Sequence, residues 1–333
     1  MLYWIKFQKK LELAMNEFAL IQKYFKKLTY NNPSALNLND DVFFDKHKKL
    51  VVSVDTYVED VHFIDFKRPD LVIKKILRSS ISDLICKGVK PKYYFISGSG
   101  NKNSFNKKNL KLISKSLNQE QKKYSIYLCG GDTTFSKKLS FTIMCIGFSN
   151  KIVFRNKAKP NDDIYVTGNL GDSFVGLRIL QKKIHLNRNL TKYFTEKYYH
   201  PNLYTNITKK LLSIANTSID ISDGLVADLE KMINNQKLSY KLYLKDIPIS
   251  KNLNKLIDLK IIKKITSVSC GDDYQILFTA SPSKSRIISK TGKTLGIKIS
   301  KIGKICRSSD KSKIINENNK KIALKNKGYF HKF

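Results

Sequence analysis

Short apolar strands that end in a small residue or glycine and then an aspartate recur along this sequence. The stretches "KLVVSVD", "SIYLCGGD" and "TSIDISDGL" have this form, and "SVSCGDDYQ" combines glycine with two further aspartates. The small residues let the backbone turn sharply, and the carboxylate that follows then projects from the edge of a sheet. A chain of this kind is expected to fold around sheets whose edges carry acidic groups.

Strands and helices mix in this sequence without a strict alternation of strand, helix and strand. Apolar spacing predicts a helix over residues 70–88 and another from about Ser173 to Gln181. The stretches "LSFTIMCIGF" and "ITSVSCGDDYQILFTA" indicate strands, the second with a turn at its centre. This mixture favours an α+β fold over a doubly wound parallel sheet.

The chain has 333 residues, which is long enough for two domains with separate cores. The polar stretch "NKAKPNDD" interrupts the apolar pattern near the middle of the sequence. We therefore expect the domain boundary at this stretch.

The charge balance is strongly basic, with 62 Lys and Arg against 27 Asp and Glu. Such an excess is typical of proteins that bind nucleic acid or an anionic membrane surface. The basic residues are mostly lysines, spread along the whole chain among many Asn and Ile, so a coding bias that fills solvated faces explains them better. No base-reading motif occurs, and we expect neither nucleic acid nor a membrane as a partner.

The cysteines and the apolar runs indicate the compartment. Five cysteines occur, none in a C-x-x-C pair or with zinc-site spacing, which fits a reduced cytosolic chain. No run of about 18 uncharged apolar residues exists, and charges interrupt the N-terminal segment too often for a signal peptide. We therefore expect a cytoplasmic protein.

The scarce acids collect at the predicted strand ends and turns, which suggests a metal and nucleotide site. Mg²⁺ is held by a few carboxylates together with substrate phosphates, and aspartates distributed over several turns can supply them. Any single aspartate is also a common turn former or helix cap, and Asp223 could simply cap the helix predicted for "LVADLEKMI". Asp228 and Glu230 within that helix are expected at the surface.

The usual phosphate-binding loops are missing. The stretch "TGKTLG" has Ile287 where a Walker A loop needs glycine, and "GSGNKN" has Asn103 where the dinucleotide motif ends in glycine. No protein-kinase motif set and no G-x-S-x-G occurs. The stretch "VTGNLGDS" before a predicted helix either binds an anion or forms a plain tight turn.

Taken in chain order, "DTYVEDVHF", "GGDTT", "AKPNDDIYVTGNLGDS", "IDISDGL" and "GDDY" resemble the thiamine-monophosphate kinase family. This family belongs to a superfamily shared with aminoimidazole ribonucleotide synthetase and selenophosphate synthetase. The resemblance runs from Met15 almost to the C-terminus, so residues 1–14 are expected to be an extension or a misassigned start.

The resemblance implies an α+β fold with the two-domain architecture of aminoimidazole ribonucleotide synthetase. An N-terminal α/β sandwich-type domain, residues 15–152, would bind metal and ATP and form a homodimer. A C-terminal α+β domain, residues 153–333, would complete the active-site cleft.

The implied activity is phosphorylation of thiamine monophosphate by ATP in thiamine diphosphate biosynthesis. Transfer would be direct and in line, with several Mg²⁺ ions and without a covalent nucleophile. The implied residues fall into three groups. The metal ligands are Asp41, Ser53, Val54, Asp55, Asp83, Asp132, Asp220 and Asp223. The ATP contacts are Gly131, Asp132, Arg155 and Ser222, and the substrate contacts are His62, Asp272 and Tyr329. Val54 stands where Thr is common, so its contribution would come from the backbone carbonyl.

Several positions depart from the family pattern without removing a predicted metal carboxylate. Asp60 replaces a glycine beside the presumed substrate entrance, so substrate affinity is the property that it most affects. The other departures are Asn39, Ser80, Cys86-Lys87 in place of an Ala-Met pair, Asn161, Cys270 and Gln275.

Two alternatives remain open at this stage. A member of the same superfamily could phosphorylate or activate another small acceptor. A basic nucleic-acid-binding protein could have kept a kinase-like scaffold, and it would bind DNA or RNA with a steep salt dependence.

Overall fold

Two β-sheets organise the part of the chain that the computed structural model describes, residues 17–324 and 326–329. The expected extension at residues 1–14 lies outside the described residues. The strands are β1 (Phe43–Asp45), β2 (Leu50–Val58), β3 (Pro91–Gly100), β4 (Tyr127–Phe135), β5 (Ser140–Phe148), β6 (Asp163–Thr167), β7 (Thr217–Asp220), β8 (Leu238–Tyr243), β9 (Ile276–Ala280), β10 (Ile299–Arg307), β11 (Lys313–Ile315) and β12 (Lys321–Ile322). The α-helices are α1 (Glu17–Leu20), α2 (Pro69–Cys86), α3 (Lys107–Tyr124), α4 (Asp172–Leu180), α5 (Arg188–Tyr199), α6 (Thr208–Ile214), α7 (Leu225–Met232), α8 (Lys251–Asp258), α9 (Lys264–Val268) and α10 (Ser285–Leu295).

The first sheet has five strands in the order β1-β2-β5-β3-β4. Only the β3–β4 pair is parallel, and β5 runs antiparallel to both of its neighbours. Along β5, Phe141, Ile143 and Cys145 are buried, whereas the residues between them are partly exposed. This period of two turns one face of the sheet toward the core, where helix α2 packs on β2 and β5.

Helix α2 is the longest element that reaches the candidate site. It has Pro69 in its first turn, and the buried Ile73, Ile76 and Leu84 follow the spacing of a helical core face. Its C-cap residue is Lys87, so the helix ends one residue before Gly88. Neither α2 nor any other helix within residues 17–324 and 326–329 is long and apolar enough to cross a membrane.

The second sheet has seven strands in the order β12-β11-β8-β10-β6-β9-β7. Strands β6 and β9 are buried along their whole length, as expected for central strands. Strand β7 lies at one edge and pairs with β9 alone among the described strands. Because β7 ends at Asp220, this carboxylate lies at the margin of the sheet, on the side where β7 contacts helix α2.

The two sheets are packed together. The first sheet ends with β5 at Phe148, and the second begins with β6 at Asp163. A continuous set of buried side chains joins them and includes Ile81, Ile143 and Phe278. The expected boundary between residues 152 and 153 lies between these strands and stays a prediction.

The helix predicted over residues 70–88 is confirmed by α2, and the one predicted near 173–181 by α4. The strand predicted at the start of "ITSVSCGDDYQILFTA" is wrong, because Lys264–Val268 forms helix α9. The β-branched residues there suggested a strand. Ile265 and Val268 instead lie one helical turn apart, and both pack against the buried side chains of the second sheet.

Candidate functional site

Strand β2 and the last turns of helix α2 bring Asp55 and Asp83 together. Their carboxyl groups are hydrogen-bonded to each other. Tyr57 Oη donates to Asp55 Oδ2 at 3.3 Å, and Ser80 Oγ donates to the same Tyr57 Oη at 3.0 Å. A polar network between strand and helix therefore fixes the position of the two acids.

Asp220 approaches this pair from the second sheet, and Ser82 Oγ donates a hydrogen bond to Asp220 Oδ2. Burial and then the charge of Asp220 raise the pKa of Asp55 to about 7. Burial, with the charges of Asp55 and Asp220, raises the pKa of Asp83 well above its usual range. Within the residues that the structure describes, none of the three acids has a salt bridge. Asp55, Asp83 and Asp220 are therefore three neighbouring acids without an ion pair to a described residue, and we call them the carboxylate triad.

A second acidic group, Asp40 and Asp41, is paired with basic side chains. Lys87 Nζ lies 2.7 Å from Asp40 Oδ1 and 2.7 Å from Asp41 Oδ2. Arg155 Nε donates to Asp41 Oδ2 at 3.1 Å, and Arg155 Nη2 donates to Asp41 Oδ1. The predicted metal ligand Asp41 and the predicted ATP contact Arg155 are therefore bound to each other in this structure.

The turn after strand β7 and the turn before strand β9 pack backbone against backbone beside Asp220. A Cβ on Gly271 would lie 1.7 Å from the Ser222 carbonyl oxygen, so this close approach requires glycine. The Asp272 N–H donates to the same Ser222 carbonyl at 2.8 Å. This contact places the predicted ATP residue Ser222 next to the predicted substrate residue Asp272.

Asp223 lies at the turn before helix α7, and its carboxylate pairs with Lys231. The helix begins after Gly224 without a side-chain cap, so the capping interpretation of Asp223 is wrong. Asp228 is 0% exposed, and its expected surface position is also wrong. Its Oδ2 accepts the backbone N–H groups of Asp223 and Gly224 at 2.9 and 3.0 Å, because N–H groups at a helix start need acceptors.

Asp272 is held by a lysine that sequence reasoning missed. Lys75 Nζ lies 2.5 Å from Asp272 Oδ1, and Tyr274 Oη donates to that oxygen at 3.1 Å. The Lys75 ammonium also lies 3.9 Å from the ring centroid of Tyr198. A lysine at a core position of a helical pattern was the available signal, and the abundance of lysine in this chain concealed it.

His62 lies just beyond strand β2 and is linked to the same cluster. Its Nδ1 accepts the Val58 N–H at 3.0 Å, and its ring meets that of Tyr57 edge-on. Tyr198 Oη donates to the His62 carbonyl at 3.4 Å, and Tyr198 is the ring beneath the Lys75 ammonium. Two predicted substrate residues, His62 and Asp272, are therefore connected through Tyr198 and Lys75.

Tyr329, the third predicted substrate residue, comes from the C-terminal tail. The tail is tied to the start of helix α7, where the Ala227 N–H donates to the Lys327 carbonyl at 3.0 Å. The Tyr329 N–H donates to the Asp223 carbonyl at 3.0 Å. The tail therefore places Tyr329 beside the turn that carries Asp223.

Gly131 and Asp132 lie on β4, an edge strand whose residues are all exposed. Asp132 Oδ1 accepts the neighbouring Thr133 N–H at 2.7 Å. The strand register puts Gly131 in the same row as Asp55, but β5 and β3 lie between them. Three strand spacings are about 14 Å, so the structure does not bring Asp132 next to the carboxylate triad within one chain.

Ser53 and Val54 lie on β2 immediately before Asp55. Ser53 Oγ donates to the Ser80 carbonyl at 3.3 Å, whereas the Val54 side chain is 60% exposed. Strand β1 pairs only with residues 50–52 of β2, so beyond Val52 one edge of β2 has no partner among the described strands. Backbone carbonyl groups on this edge are available to a ligand, in contrast to the apolar Val54 side chain.

The carboxylate triad fits a divalent cation by its chemistry. Three clustered acids without a salt bridge in the described part of the chain repel one another, and carboxylate oxygens are ligands that Mg²⁺ prefers. No ready-made cluster of three or more His, Cys, Asp or Glu able to hold a metal occurs within residues 17–324 and 326–329. A cation here would therefore need substrate oxygens as further ligands, as is usual for Mg²⁺.

Known proteins resemble this chain in sequence. The family model "AIR synthase related protein, N-terminal domain" matches residues 38–149. A thiamine-monophosphate kinase of Buchnera aphidicola subsp. Schizaphis graminum (strain Sg) is 35% identical over 327 residues, which cover 96% of this chain and 99% of that protein. A thiamine-monophosphate kinase of Haemophilus influenzae (strain ATCC 51907 / DSM 11121 / KW20 / Rd) is 31% identical over 300 residues, which cover 88% of this chain and 90% of that protein.

The fold also resembles solved structures. The structure described as "AaThiL complexed with AMPPCP and TMP" superposes with a TM-score of 0.82, covering 95% of this chain and 97% of that chain at 24% sequence identity. Together with the match to the AIR synthase related domain, this likeness confirms the predicted α+β fold with an aminoimidazole ribonucleotide synthetase-like architecture.

Proposed function

Since the chain belongs to the thiamine-monophosphate kinase family, we propose that it transfers the γ-phosphoryl group of ATP to thiamine monophosphate, giving thiamine diphosphate. The observation that carries the proposal is the carboxylate triad of Asp55, Asp83 and Asp220. Two acids come from the first domain and one from the edge of the second sheet, so the triad lies where the two domains meet. A nucleotide with its metal ions would supply the missing positive charge and bridge both domains.

The transfer requires no nucleophile from the protein. An oxygen of the acceptor phosphate attacks the γ-phosphorus while the bond from that phosphorus to ADP breaks. The protein has to align two negatively charged phosphates and neutralise them, because charge is spread over the transferred group in the transition state. Residues that position and neutralise are therefore sufficient for catalysis.

We place the metal site on acids from both domains. When bound, Mg²⁺ would supply positive charge that reduces the repulsion between the donor and acceptor phosphates. The proposed ligands are the carboxylates of Asp55, Asp83, Asp220 and Asp223 with backbone oxygens of Ser53 and Val54. Asp132 lies too far from them within one chain, so we propose that it joins the site from a second copy of the chain. Asp41 is paired with Lys87 and Arg155 instead.

The proposed ATP contacts are Gly131, Asp132, Arg155 and Ser222. Arg155 donates from Nε and Nη2 to Asp41 in this structure, so a phosphate oxygen would be bound by its remaining N–H groups. On the acceptor side, the proposed contacts are His62, Asp272 and Tyr329. Lys75 holds the Asp272 carboxylate by an ion pair, which fixes one of these contacts before the acceptor arrives.

A homodimer is the proposed assembly, because the first sheet has an apolar outer face. Val52 and Val54 of β2 pair with Ile146 and Met144 of β5, and all four side chains are exposed or only partly buried. Edge strand β4, on the far side of β3, exposes Phe135 by 77%. Monomeric proteins rarely expose such a face and edge together, and a second copy of this sheet would cover both.

The cytoplasm is the proposed compartment. The reaction consumes ATP, and all five cysteines are free thiols, as a reducing compartment keeps them.

The proposal is tested with purified protein, Mg-ATP and a choice of acceptors. With thiamine monophosphate we expect thiamine diphosphate and ADP in equal amounts, and with thiamine we expect no phosphorylated product. ATP consumption with another small phosphate ester and none with thiamine monophosphate would overturn the acceptor. Tight, steeply salt-dependent binding to DNA, unaffected by Mg-ATP and without any turnover, would overturn phosphoryl transfer itself.

A further inference from the structure

The side chain of Lys87 occupies a cage of oxygen atoms beside the carboxylate triad. It is 0% exposed, and its Nζ lies 2.7 Å from Asp40 Oδ1, 2.7 Å from Asp41 Oδ2 and 2.9 Å from the Ser218 carbonyl oxygen. The ammonium donates a hydrogen bond to the Ser218 carbonyl and forms ion pairs with the two carboxylates. These oxygen atoms surround the buried cation.

Lys87 is also the C-cap residue of helix α2. The carbonyl end of a helix carries partial negative charge, which adds to the two carboxylates around the ammonium. Burial disfavours a charged ammonium, and the two carboxylates within ion-pair distance offset this cost. A buried cation at this position is stable because it is fully paired.

The acids at the domain boundary therefore divide into two groups. Asp40 and Asp41 are neutralised by Lys87 and Arg155 of the chain itself. Asp55, Asp83 and Asp220 have no salt bridge within the described part of the chain. The second group is balanced only by basic side chains beyond ion-pair distance, and it is the group whose repulsion a metal ion would relieve.

We propose that the Lys87 ammonium permanently occupies the position beside Asp40 and Asp41 that a metal ion would occupy if this lysine were absent. This inference rests on the proposed function and deepens it. Metal binding is confined to the carboxylate triad and the other acids proposed as ligands. Asp41 instead orients Arg155 toward phosphate through their ion pair. Lys87 is a positioning residue, since it touches neither substrate nor metal.

The test replaces Lys87 by a side chain of similar length without charge, and counts bound metal. Mn²⁺ bound per chain is measured by electron paramagnetic resonance titration in wild type, Lys87→Met and Lys90→Met. Lys90 is exposed, lies in the same segment and serves as the matched control. We expect one additional Mn²⁺ per chain in Lys87→Met, and the wild-type number in Lys90→Met.

Thermal unfolding provides the second readout. Without metal, we expect Lys87→Met to unfold at a lower temperature than wild type. We expect Mn²⁺ to raise the unfolding temperature of Lys87→Met by more than it raises that of Lys90→Met. In Asp41→Asn/Lys87→Met the carboxylate that needs a cation is gone, so we expect it to fold and to bind the wild-type number of ions.

The outcomes separate this inference from the proposed function. An unchanged Mn²⁺ count in folded Lys87→Met overturns the inference and leaves the metal-dependent kinase intact. Lys87→Met that stays unfolded with Mn²⁺, while Asp41→Asn/Lys87→Met folds, overturns it as well, because no metal then replaces the ammonium. Absence of Mn²⁺ binding in wild type would instead overturn the metal site of the proposed function.

Discussion

Lys75 Nζ lies 2.5 Å from Asp272 Oδ1, and this ion pair joins helix α2, which packs on the first sheet, to the turn before strand β9 of the second sheet. The Lys75 side chain is buried, whereas the Asp272 side chain is 25% exposed. The Asp272 end of the pair therefore faces the candidate acceptor site. The pair therefore couples the arrangement of the domains to a residue proposed to contact the acceptor.

Replacement of Lys75 by Met should weaken acceptor binding more than ATP binding. The Asp272 carboxylate would lose its partner, which we expect to cost about 1–3 kcal/mol in the free energy of unfolding. We expect KM for thiamine monophosphate to rise about tenfold or more, as a loss of about 1.4 kcal/mol in binding gives. Steady-state kinetics with each substrate varied in turn measures this.

Lys74→Met is the control, since Lys74 Nζ bonds instead to Gln119 Oε1 on helix α3. An equal rise in both KM values for Lys75→Met, or the same rise for Lys74→Met, would contradict the assigned role.

Asp220→Asn should stabilise the metal-free protein while it impairs turnover. Removal of one charge from three clustered acids relieves their repulsion, and an amide oxygen can still accept the Ser82 hydroxyl. Loss of one electrostatic contact to the phosphates should lower kcat by about 10²–10³-fold. Thermal unfolding without metal and product formation with Mg-ATP measure the two effects.

Asp228→Ala removes the buried acceptor of two backbone N–H groups in the turn, and it should destabilise the metal-free protein. If Asp220→Asn lowered the metal-free unfolding temperature as well, the repulsion within the triad would be refuted.

Gly328→Ala should displace the C-terminal tail. A Cβ at this position would lie 2.5 Å from the Ala227 Cβ and 2.7 Å from the Asp223 carbonyl oxygen. The tail can move away from this overlap, so we expect little change in unfolding temperature and a higher KM for thiamine monophosphate. Rates measured over a range of thiamine monophosphate concentrations test this expectation. Lys327→Ala is the control, because it removes only a salt bridge to Glu230. Unchanged kinetics in Gly328→Ala would show that Tyr329 is not needed for acceptor binding.

Acid should destabilise the protein through His200. Burial, with the nearby charges of Arg78 and Lys74, lowers the pKa of His200 to about 4. The unfolded chain binds this proton near pH 6.5 and the folded chain does not, so stability is lost as the pH falls from about 6.5 to about 4. Above pH 6.5 both states are neutral and the effect is absent.

Unfolding temperatures of wild type and His200→Gln, measured from pH 7.5 to pH 4.5, isolate this contribution. We expect the wild type to lose more stability than His200→Gln over this range. Parallel curves for the two proteins would contradict the assignment.

The sequence predicted those features that depend on local patterns. Helix α2 could be found because its apolar residues follow one helical face and Pro69 marks its start. The acids could be found because they follow strands and small residues, and the family match fixed which of them to consider. The strand predicted near Ile265 failed, since a single helical turn carries too few residues for periodicity to reveal it.

The pairing of charges could not be predicted. Lys75, Lys87 and Lys231 each pair with an acid of the candidate site. The core position of Lys75 and the replacement of a family methionine by Lys87 were available signals, but neither identifies the acid that the lysine contacts. Asp228 was expected at the surface because it lies in a helix with charged neighbours, whereas the turn before that helix needs its carboxylate as an acceptor. Such partners depend on how the two domains pack.

Product formation in a single turnover tests the central claim most directly. Enzyme in excess is mixed with γ-labelled ATP, Mg²⁺ and thiamine monophosphate, quenched at short times and separated into protein, nucleotide and thiamine fractions. We predict that label passes from ATP to thiamine diphosphate without appearing on the protein, that chelation of Mg²⁺ abolishes the transfer, and that Asp132→Asn slows it strongly. Label on the protein before the product, or no thiamine diphosphate while ATP is bound, would contradict the account.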